Sequence, residues 1–179
     1  MIYDDETGTY NIILYGRGNV GVKTFIKQEL RRSQDNGLKN TIGVGLYYKV
    51  VDTNLGKVKL SFWHFTSNPT FKYLWDQYLP NSHGVMFMYD ISNSYSFYSL
   101  HINIMKVRER LHGDHPILLI GNKLDSEVKR DVSREEVDQQ KKHYNISFSM
   151  EISSKTGENI EELFLRVSEM MQIHWKKLN

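Results

Sequence analysis

Residues 16–24 read GRGNVGVKT, and this stretch decides how the rest of the chain is arranged. It follows a short apolar run, NIILY at 11–15, and leads into FIKQEL at 25–30, which has a helical pattern. A strand, a glycine-rich turn and a helix that opens with Lys-Thr form the layout of a phosphate-binding loop, G-x-x-x-x-G-K-[ST]. The stretch is one residue away from that pattern, because removing Val22 makes it match at every position.

Because of Val22, the sequence is compatible with two different paths of the loop backbone. As an insertion, it makes the loop bulge before Lys23; as a replacement for the glycine ahead of the lysine, it places a branched side chain where unusual dihedral angles are common. In either case Lys23 is expected to reach the terminal phosphates and the Thr24 hydroxyl to hold Mg²⁺. Taken alone, the stretch also fits a plain tight turn between a strand and a helix. The predicted phosphate-binding residues are Gly18, Asn19, Val20, Gly21, Val22, Lys23 and Thr24.

The composition is that of one ordinary globular domain. The chain has 179 residues, of which 40% are hydrophobic and 25% are charged, as in most proteins with a full core. The net charge of +2 comes from 23 basic and 21 acidic side chains. Because the basic residues are scattered, we expect no nucleic-acid partner. There is no cysteine, which excludes disulfides and cysteine-bound metals.

No part of the sequence predicts insertion into a membrane. The apolar runs are too short to span a bilayer, position 2 is not glycine, and the final residues WKKLN offer no cysteine for prenylation. We therefore expect a cytoplasmic protein with no lipid anchor in this chain. Such a protein would reach endomembranes only indirectly, as a peripheral component held by a partner.

Apolar strand patterns alternate with helical patterns along the chain. Some runs are rich in β-branched and aromatic residues, and TNLG at 53–56 predicts a hairpin turn between two of them. Others are continuously apolar, as expected of strands buried on both faces of a parallel sheet. The final strand is short and is expected at an edge. The predicted strands after the first are at 44–52, 57–63, 85–89, 117–120 and 148–152.

The segments between these strands have helical spacing. Apolar residues recur at three- and four-residue steps from 97 to 111, and Ser133 with Glu136 has the spacing of a capping box for a helix that continues to His143. A last helix opens at 159. The pattern predicts an α/β fold with a doubly wound, mostly parallel six-stranded sheet flanked by helices. We expect a domain at 11–175, with an N-terminal extension at 1–10 and a tail at 176–179.

Two further motifs follow predicted strands, where ligands bind in such folds. GNKLD at 121–125 ends in Asp125, whose carboxylate can accept hydrogen bonds from N1–H and the 2-amino group of guanine. Adenine lacks that donor pair, so the site distinguishes the two bases. SSK at 153–155 can supply a backbone N–H to the guanine O6 and a lysine stem to cover the ring. The predicted guanine-binding residues are Asn122, Lys123, Asp125, Ser153, Ser154 and Lys155.

With these motifs in order, the sequence resembles the Ras superfamily of small GTPases, and most closely its Rab branch. NKLD at 122–125 matches the family's N-K-x-D, and EISSKTGEN at 151–159 is similar to its S-A-K segment. TIGVG at 41–45 resembles the Rab switch I, in which the threonine, here Thr41, holds Mg²⁺. The resemblance runs from Asn11 to about 171 and implies a small G domain that binds GTP or GDP with Mg²⁺ and recognises protein effectors.

The sequence departs from this family in the segment that contacts the terminal phosphate and orients Mg²⁺. HFTSN at 64–68 stands where the family has D-T-A-G-Q. His64 replaces an aspartate that orients the Mg²⁺ shell, Ser67 replaces a glycine whose N–H meets the γ-phosphate, and Asn68 replaces the glutamine that positions water. Since positioning and charge stabilisation are nearly all of GTP hydrolysis, we expect little or no hydrolysis and assign no catalytic residue. Imidazole suits softer metals than Mg²⁺, so His64 is not expected to be a ligand.

Three functions remain open. The first is a Rab-like guanine-nucleotide-binding switch or scaffold in vesicle trafficking or signalling, with intact guanine recognition and impaired hydrolysis. The second is a nucleotide-free pseudo-GTPase that binds protein effectors or a fused partner domain. The third is an active GTPase with an unconventional catalytic layout. The base-reading motifs favour the first over the second, and the altered stretch at 64–68 favours the first over the third.

Overall fold

Strands and helices alternate along most of the chain, apart from the successive strands β2, β3 and β4 and the successive helices α3 and α4. The computed structural model describes residues 8–32, 37–41, 44–65, 72–111 and 115–177, and for 29–32, 37–41 and 72–73 it describes the backbone alone. In chain order the elements are β1 Gly8–Gly16, α1 Val22–Arg32, β2 Gly37–Thr41, β3 Val44–Thr53, β4 Gly56–Phe65, α2 Lys72–Tyr78, β5 Gly84–Asp90, α3 Ser94–Tyr98, α4 His101–Arg110, β6 Ile117–Asn122, α5 Arg134–His143, β7 Phe148–Glu151 and α6 Ile160–Lys176.

One mixed sheet forms the centre of the fold, with the strand order β2-β3-β4-β1-β5-β6-β7. β1 runs parallel to both β4 and β5, and β6 and β7 continue the parallel part. β2 and β3 pair antiparallel. The predicted doubly wound, mostly parallel α/β fold is confirmed. The sheet has seven strands because the short segment β2 also joins an edge; its sequence GLKNT has no apolar alternation that would mark it as a strand.

The strand predictions agree with this topology. β3 and β4 form the predicted hairpin, with Thr53 opposite Gly56 at the turn. Every residue of β5 and β6 is buried, as continuously apolar runs indicate for strands covered on both faces. β7 is short and lies at the edge of the sheet, as predicted.

The helices bury the apolar faces that their spacing predicts. Phe97, Leu100 and Ile104 are buried against one face of the sheet, and Ser133 caps α5 with a complete capping box. One detail differs, because the segment from 97 to 111 is two helices. Leu100 N–H donates to Phe97 O at 3.1 Å, which is a tighter turn than in an α-helix and separates α3 from α4. In the part of the chain that the structure describes, no helix has both the length and the apolar character to cross a membrane.

A buried cation joins α6 to the β3–β4 hairpin. The side chain of Lys49 on β3 is 8% exposed, and its Nζ lies 3.1 Å from Oε1 of Glu161 at the start of α6. The same Nζ lies 4.3 Å from the centre of the Phe164 ring. At the other end of the hairpin, the Thr53 hydroxyl donates to Gln172 Oε1 at 2.8 Å. These contacts hold α6 across the strands that lead to the edge where ligands bind.

Glu161→Gln is expected to lower the free energy of unfolding by about 1–2 kcal/mol. The effect should be smaller than the 3–5 kcal/mol typical of a fully buried ion pair, because the Glu161 side chain is 67% exposed. Urea denaturation followed by circular dichroism measures it. Glu162→Gln is the matched control in the same helical turn, since the ion pair of Glu162 with Arg166 is an exposed i,i+4 pair. It should change stability by less than about 0.5 kcal/mol. Equal effects of the two variants would contradict the role of Lys49.

Candidate nucleotide-binding site

The loops that carry the predicted site residues meet at one edge of the sheet. β1, β5, β6 and β7 are parallel neighbours, so their carboxyl ends lie side by side. The loops after β1, β6 and β7 contain the phosphate-binding and guanine-binding candidates. This is the edge at which open α/β sheets bind ligands.

The phosphate loop passes from β1 to α1 without a bulge. Gly18 and Gly21 have φ angles of +72° and +98°, which glycine adopts without strain. Phe25 N–H donates to Gly21 O at 2.9 Å, so the helical hydrogen bonds begin directly at Gly21 and Val22 is the first residue of the helix. A Cβ on Gly21 would lie 2.2 Å from Asn122 Nδ2, so this position requires glycine.

Val22 is therefore neither a bulged insertion nor a substitute for Gly21. Counted from Gly16, the motif G-x-x-x-x-G-K-[ST] places Val22 at the lysine position and Lys23 at the hydroxyl position. Val22 is 6% exposed and belongs to the core, while Lys23 and Thr24 are exposed in the first turn of α1. Because successive helical residues point about 100° apart, Lys23 leaves the helix in a different direction from Val22. The phosphate and metal roles of Lys23 and Thr24 stay predictions.

Asn122 joins the phosphate loop to the loop after β7. It is 1% exposed. Its Nδ2 donates to Val20 O at 2.7 Å, and its Oδ1 accepts from the Ser154 N–H at 2.9 Å. The predicted bracing role of this asparagine thus has a definite geometry, since one amide positions the two loops that would hold the phosphates and the base.

Lys123 is held by a carboxylate that the sequence analysis did not identify. Lys123 has a φ of +69°, unusual for a residue with a side chain. Its Nζ lies 2.6 Å from Oδ2 of Asp90, at the end of β5. Burial raises the pKa of Asp90, but hydrogen bonds from Lys123 and Ser92 outweigh it and hold this pKa below its ordinary value. An acidic residue directly after an apolar strand was the signal that could have identified Asp90.

Asp125 is clamped by the loop that follows β7. The Ser153 hydroxyl donates to Asp125 Oδ1, and Lys155 Nζ lies 3.6 Å from Oδ2. The hydrogen bond from Ser153, together with the nearby charge of Lys155, holds the pKa of the Asp125 carboxyl below its ordinary value. The group is therefore ionised at neutral pH. A carboxylate offers about four lone-pair positions, so these contacts leave acceptors for the two donors of guanine.

Gln28 makes a hydrogen bond within the candidate site that the sequence did not predict. Its side-chain Nε2 on α1 donates to the backbone carbonyl of Lys155 at 2.9 Å. The helix that follows the phosphate loop thus holds the loop that would cover the base. The sequence contains no signal for this contact, because an amide at an ordinary helix position has many alternative partners.

His64 lies on β4 beside the strand that leads to the phosphate loop. It pairs with Leu14 of β1, and its Nδ1 is 3.4 Å from Leu14 O. Burial lowers the pKa of His64; the hydrogen bond with the Leu14 carbonyl opposes this in part, and the positive charge of Lys23 adds to the lowering. At neutral pH the ring is therefore uncharged. A neutral imidazole stands where the resemblance implies a carboxylate, and an ammonium lies near it.

The described residues do not fit the Mg²⁺ site that the resemblance implies. Mg²⁺ requires oxygen ligands in near-octahedral geometry, usually with a carboxylate. Here His64 supplies no oxygen and Lys23 brings a positive charge. No cluster of three or more metal-binding side chains occurs within the described ranges. The side chain of Thr41 and the residues Ser67 and Asn68 lie outside the described residues, so their predicted roles stay predictions.

A cavity of about 230 Å³ opens between the phosphate loop and α3. Arg17 lies at its rim, with its guanidinium 5.7 Å from the centre of the Tyr95 ring. Asp125 and Ser153 do not line this cavity. Its lining joins Lys123 to residues of the phosphate loop, so the cavity lies between the two parts of the candidate site.

The topology and these loops define a small G domain of the P-loop NTPase class, and comparison with known proteins identifies the family. A family model described as "Ras family" matches residues 11–173. "Ras-related protein Rab-26" of Bos taurus is 32% identical over 173 residues, which cover 93% of this chain and 66% of the relative. The protein of the same name from Drosophila melanogaster is 31% identical, with 94% of this chain and 44% of the relative covered. That of Homo sapiens is 30% identical, with 91% and 64% covered.

The chain belongs to the Ras family of small GTPases, and its curated relatives support a Rab-like member. Proteins of this family bind guanine nucleotide and Mg²⁺. The chain spans between 44% and 66% of the length of the relatives named above. What the whole protein binds and does is therefore a matter for proposal.

Proposed function

We propose that this protein is a Rab-like switch or scaffold that binds GTP or GDP and hydrolyses GTP slowly or not at all. The observation that supports it most is the ionised Asp125, clamped by Ser153 and Lys155 at the carboxyl edge of the sheet. Asn122 fixes the adjoining loops through two buried hydrogen bonds. A carboxylate held in this way is suited to reading guanine. We propose that it acts in vesicle trafficking or signalling, in the cytoplasm or on endomembranes, through protein effectors or a fused partner domain.

The proposed weakness of hydrolysis rests on the phosphate side of the site. Val22 occupies the lysine position of the loop and His64 the position of a carboxylate, and neither can stabilise charge on a phosphoryl group. Since phosphoryl transfer depends almost entirely on such stabilisation, the loss of both groups should reduce its rate by orders of magnitude.

A nucleotide-free interaction module is the second candidate. The buried Val22 favours it, because the loop lacks the lysine that normally reaches the phosphates. The base-reading cluster argues against it, since a module that never bound guanine would have little need for a clamped Asp125. Measurement of nucleotide binding separates the two candidates.

The test begins with denaturation of purified protein and chromatography of any released nucleotide. The stripped protein is then titrated with GDP, GTP and, as controls, ADP and ATP. We expect guanine nucleotides to bind and adenine nucleotides to bind at least roughly 100-fold more weakly. Single-turnover cleavage of GTP should be slower than about 10⁻⁶ s⁻¹, roughly two orders of magnitude below the unassisted rate of Ras. No binding at millimolar GDP would support the second candidate, and cleavage at a family-typical rate would show an active enzyme.

A further inference from the structure

Lys23 occupies a position that determines how this loop can neutralise phosphate. α1 begins at Val22, immediately after Gly21, so Lys23 is the second helical residue and is exposed at the helix N-terminus. In the motif that position belongs to the hydroxyl that binds Mg²⁺. A cationic side chain therefore stands where the loop normally holds the metal through an oxygen.

The surroundings of Lys23 support this placement. Lys23 is close enough to His64 for its charge to act on the imidazole, and His64 lies opposite Leu14, two residues before the loop begins. Within the part of the chain that the structure describes, no carboxylate forms an ion pair with Lys23. The exposed ammonium thus places a positive charge beside the phosphate loop, available to an anion.

The position of Val22 at the start of α1 also explains why this residue cannot bind phosphate. Val22 Cγ2 would lie 2.7 Å from a Cβ on Gly16, so its methyl groups are folded back under the start of the loop. It belongs to the buried core and has no polar atom to offer. Of these two adjacent residues, only Lys23 can contribute charge to a bound phosphate.

We infer that the protein binds guanine nucleotide without Mg²⁺ and that the Lys23 ammonium takes the place of the metal as the counter-charge to the β-phosphate. This inference rests on the proposed function, because it requires guanine nucleotide to bind. It adds that the bound species is the metal-free nucleotide. Because an ammonium carries half the charge of Mg²⁺ and imposes no octahedral geometry, GDP and GTP should bind with similar affinity.

The test is isothermal titration of the stripped protein with GDP, once with 5 mM Mg²⁺ and once with excess EDTA. We expect the two affinities to agree within about twofold. Lys23→Met should lower GDP affinity about 10- to 100-fold in both buffers, the effect of losing one charged hydrogen bond. Lys27→Met is the matched control, since Lys27 is exposed one turn further along α1, and it should bind as the unaltered protein does. Lys23→Arg should retain most of the affinity.

Each other result has a definite meaning. An affinity that falls tenfold or more in EDTA would overturn the inference and leave the proposed function standing. EDTA-insensitive binding that Lys23→Met does not weaken would overturn the role of Lys23. No GDP binding in either buffer would show that the proposed function itself fails. Thermal unfolding of each variant checks that exposed substitutions leave the fold intact.

A variant that restores the family's residues at these positions tests whether Lys23 occupies the metal-binding position of the motif. Val22→Lys, Lys23→Ser and His64→Asp together restore the order of the motif and its carboxylate without changing the length of the loop. We expect GDP binding by this triple variant to weaken at least roughly tenfold in EDTA. Binding that stays insensitive to EDTA, in a variant whose melting temperature shows it to be folded, would contradict the assignment of Lys23 to the metal-binding position.

Discussion

Asp125→Asn is expected to lower the affinity for GDP by roughly two to four orders of magnitude. The carboxylate would accept hydrogen bonds from N1–H and the 2-amino group of guanine, and hydrogen bonds to a charged group contribute about 1.5–3 kcal/mol each. At 1.4 kcal/mol for each factor of ten, two such bonds account for this range. The carboxamide can still accept the hydrogen bond from Ser153, so the loops should keep their positions. Competition with a fluorescent GDP analogue measures the affinity.

The same substitution should change which base is preferred. An asparagine amide brings an N–H donor to a position that had only acceptors, and xanthine has an oxygen where guanine has its 2-amino group. The ratio of xanthosine diphosphate to GDP affinity should therefore rise at least roughly tenfold. Asp138→Asn, on the exposed side of α5, removes the same charge away from the site and should alter neither affinity. An unchanged base preference in Asp125→Asn would show that Asp125 does not read the base.

Patterns of burial made most of the fold predictable. Continuous apolar runs are typical of strands covered by helices on both faces, so β5 and β6 followed from their runs, and the parallel architecture followed from the alternation of such runs with helical patterns. β2 did not follow, because a short polar strand at an edge depends on pairing with its neighbour and not on apolar spacing. The break between α3 and α4 was equally invisible, since the apolar face continues unchanged across Leu100.

The positions of the candidate site residues in the fold were predictable, but their contacts were not. The motifs predicted that Asn122, Lys123 and Asp125 lie at the carboxyl edge of the parallel strands, because loops after parallel strands meet there, and the structure has them at that edge. The ion pair of Lys123 with Asp90 joins two loops that are distant in sequence, and no local spacing encodes it. The path of the loop at Val22 depended on where the helical hydrogen bonds of α1 begin, and no residue pattern in the sequence marks that point.

Asn122→Ala is expected to lower the free energy of unfolding by about 2–6 kcal/mol. The substitution leaves the Val20 carbonyl and the Ser154 N–H without the partner that each now has, and an unsatisfied buried polar group costs about 1–3 kcal/mol. This is a large fraction of the 5–15 kcal/mol by which folded domains are usually stable. Because Asn122 positions both loops, GDP affinity should fall as well, even at temperatures where the variant is fully folded. Urea denaturation and GDP titration measure the two effects.

Asn122→Asp separates the two hydrogen bonds of this amide. The carboxylate can still accept from the Ser154 N–H but cannot donate to Val20 O. Its second oxygen would take the place of Nδ2, which is packed tightly against Gly21. It should therefore disturb the phosphate loop more than the loop after β7, and the loss of stability should be at least as large as that of Asn122→Ala, because a buried charge would face a carbonyl oxygen. Asn81→Ala is the control, because its side chain is exposed and its hydrogen bond to Gln77 O is 3.5 Å long, which is weak. It should change stability by less than about 0.5 kcal/mol. If Asn122→Ala were as mild as this control, the amide could not be what holds the two loops together, and the base and phosphate sides of the site would have to be positioned independently.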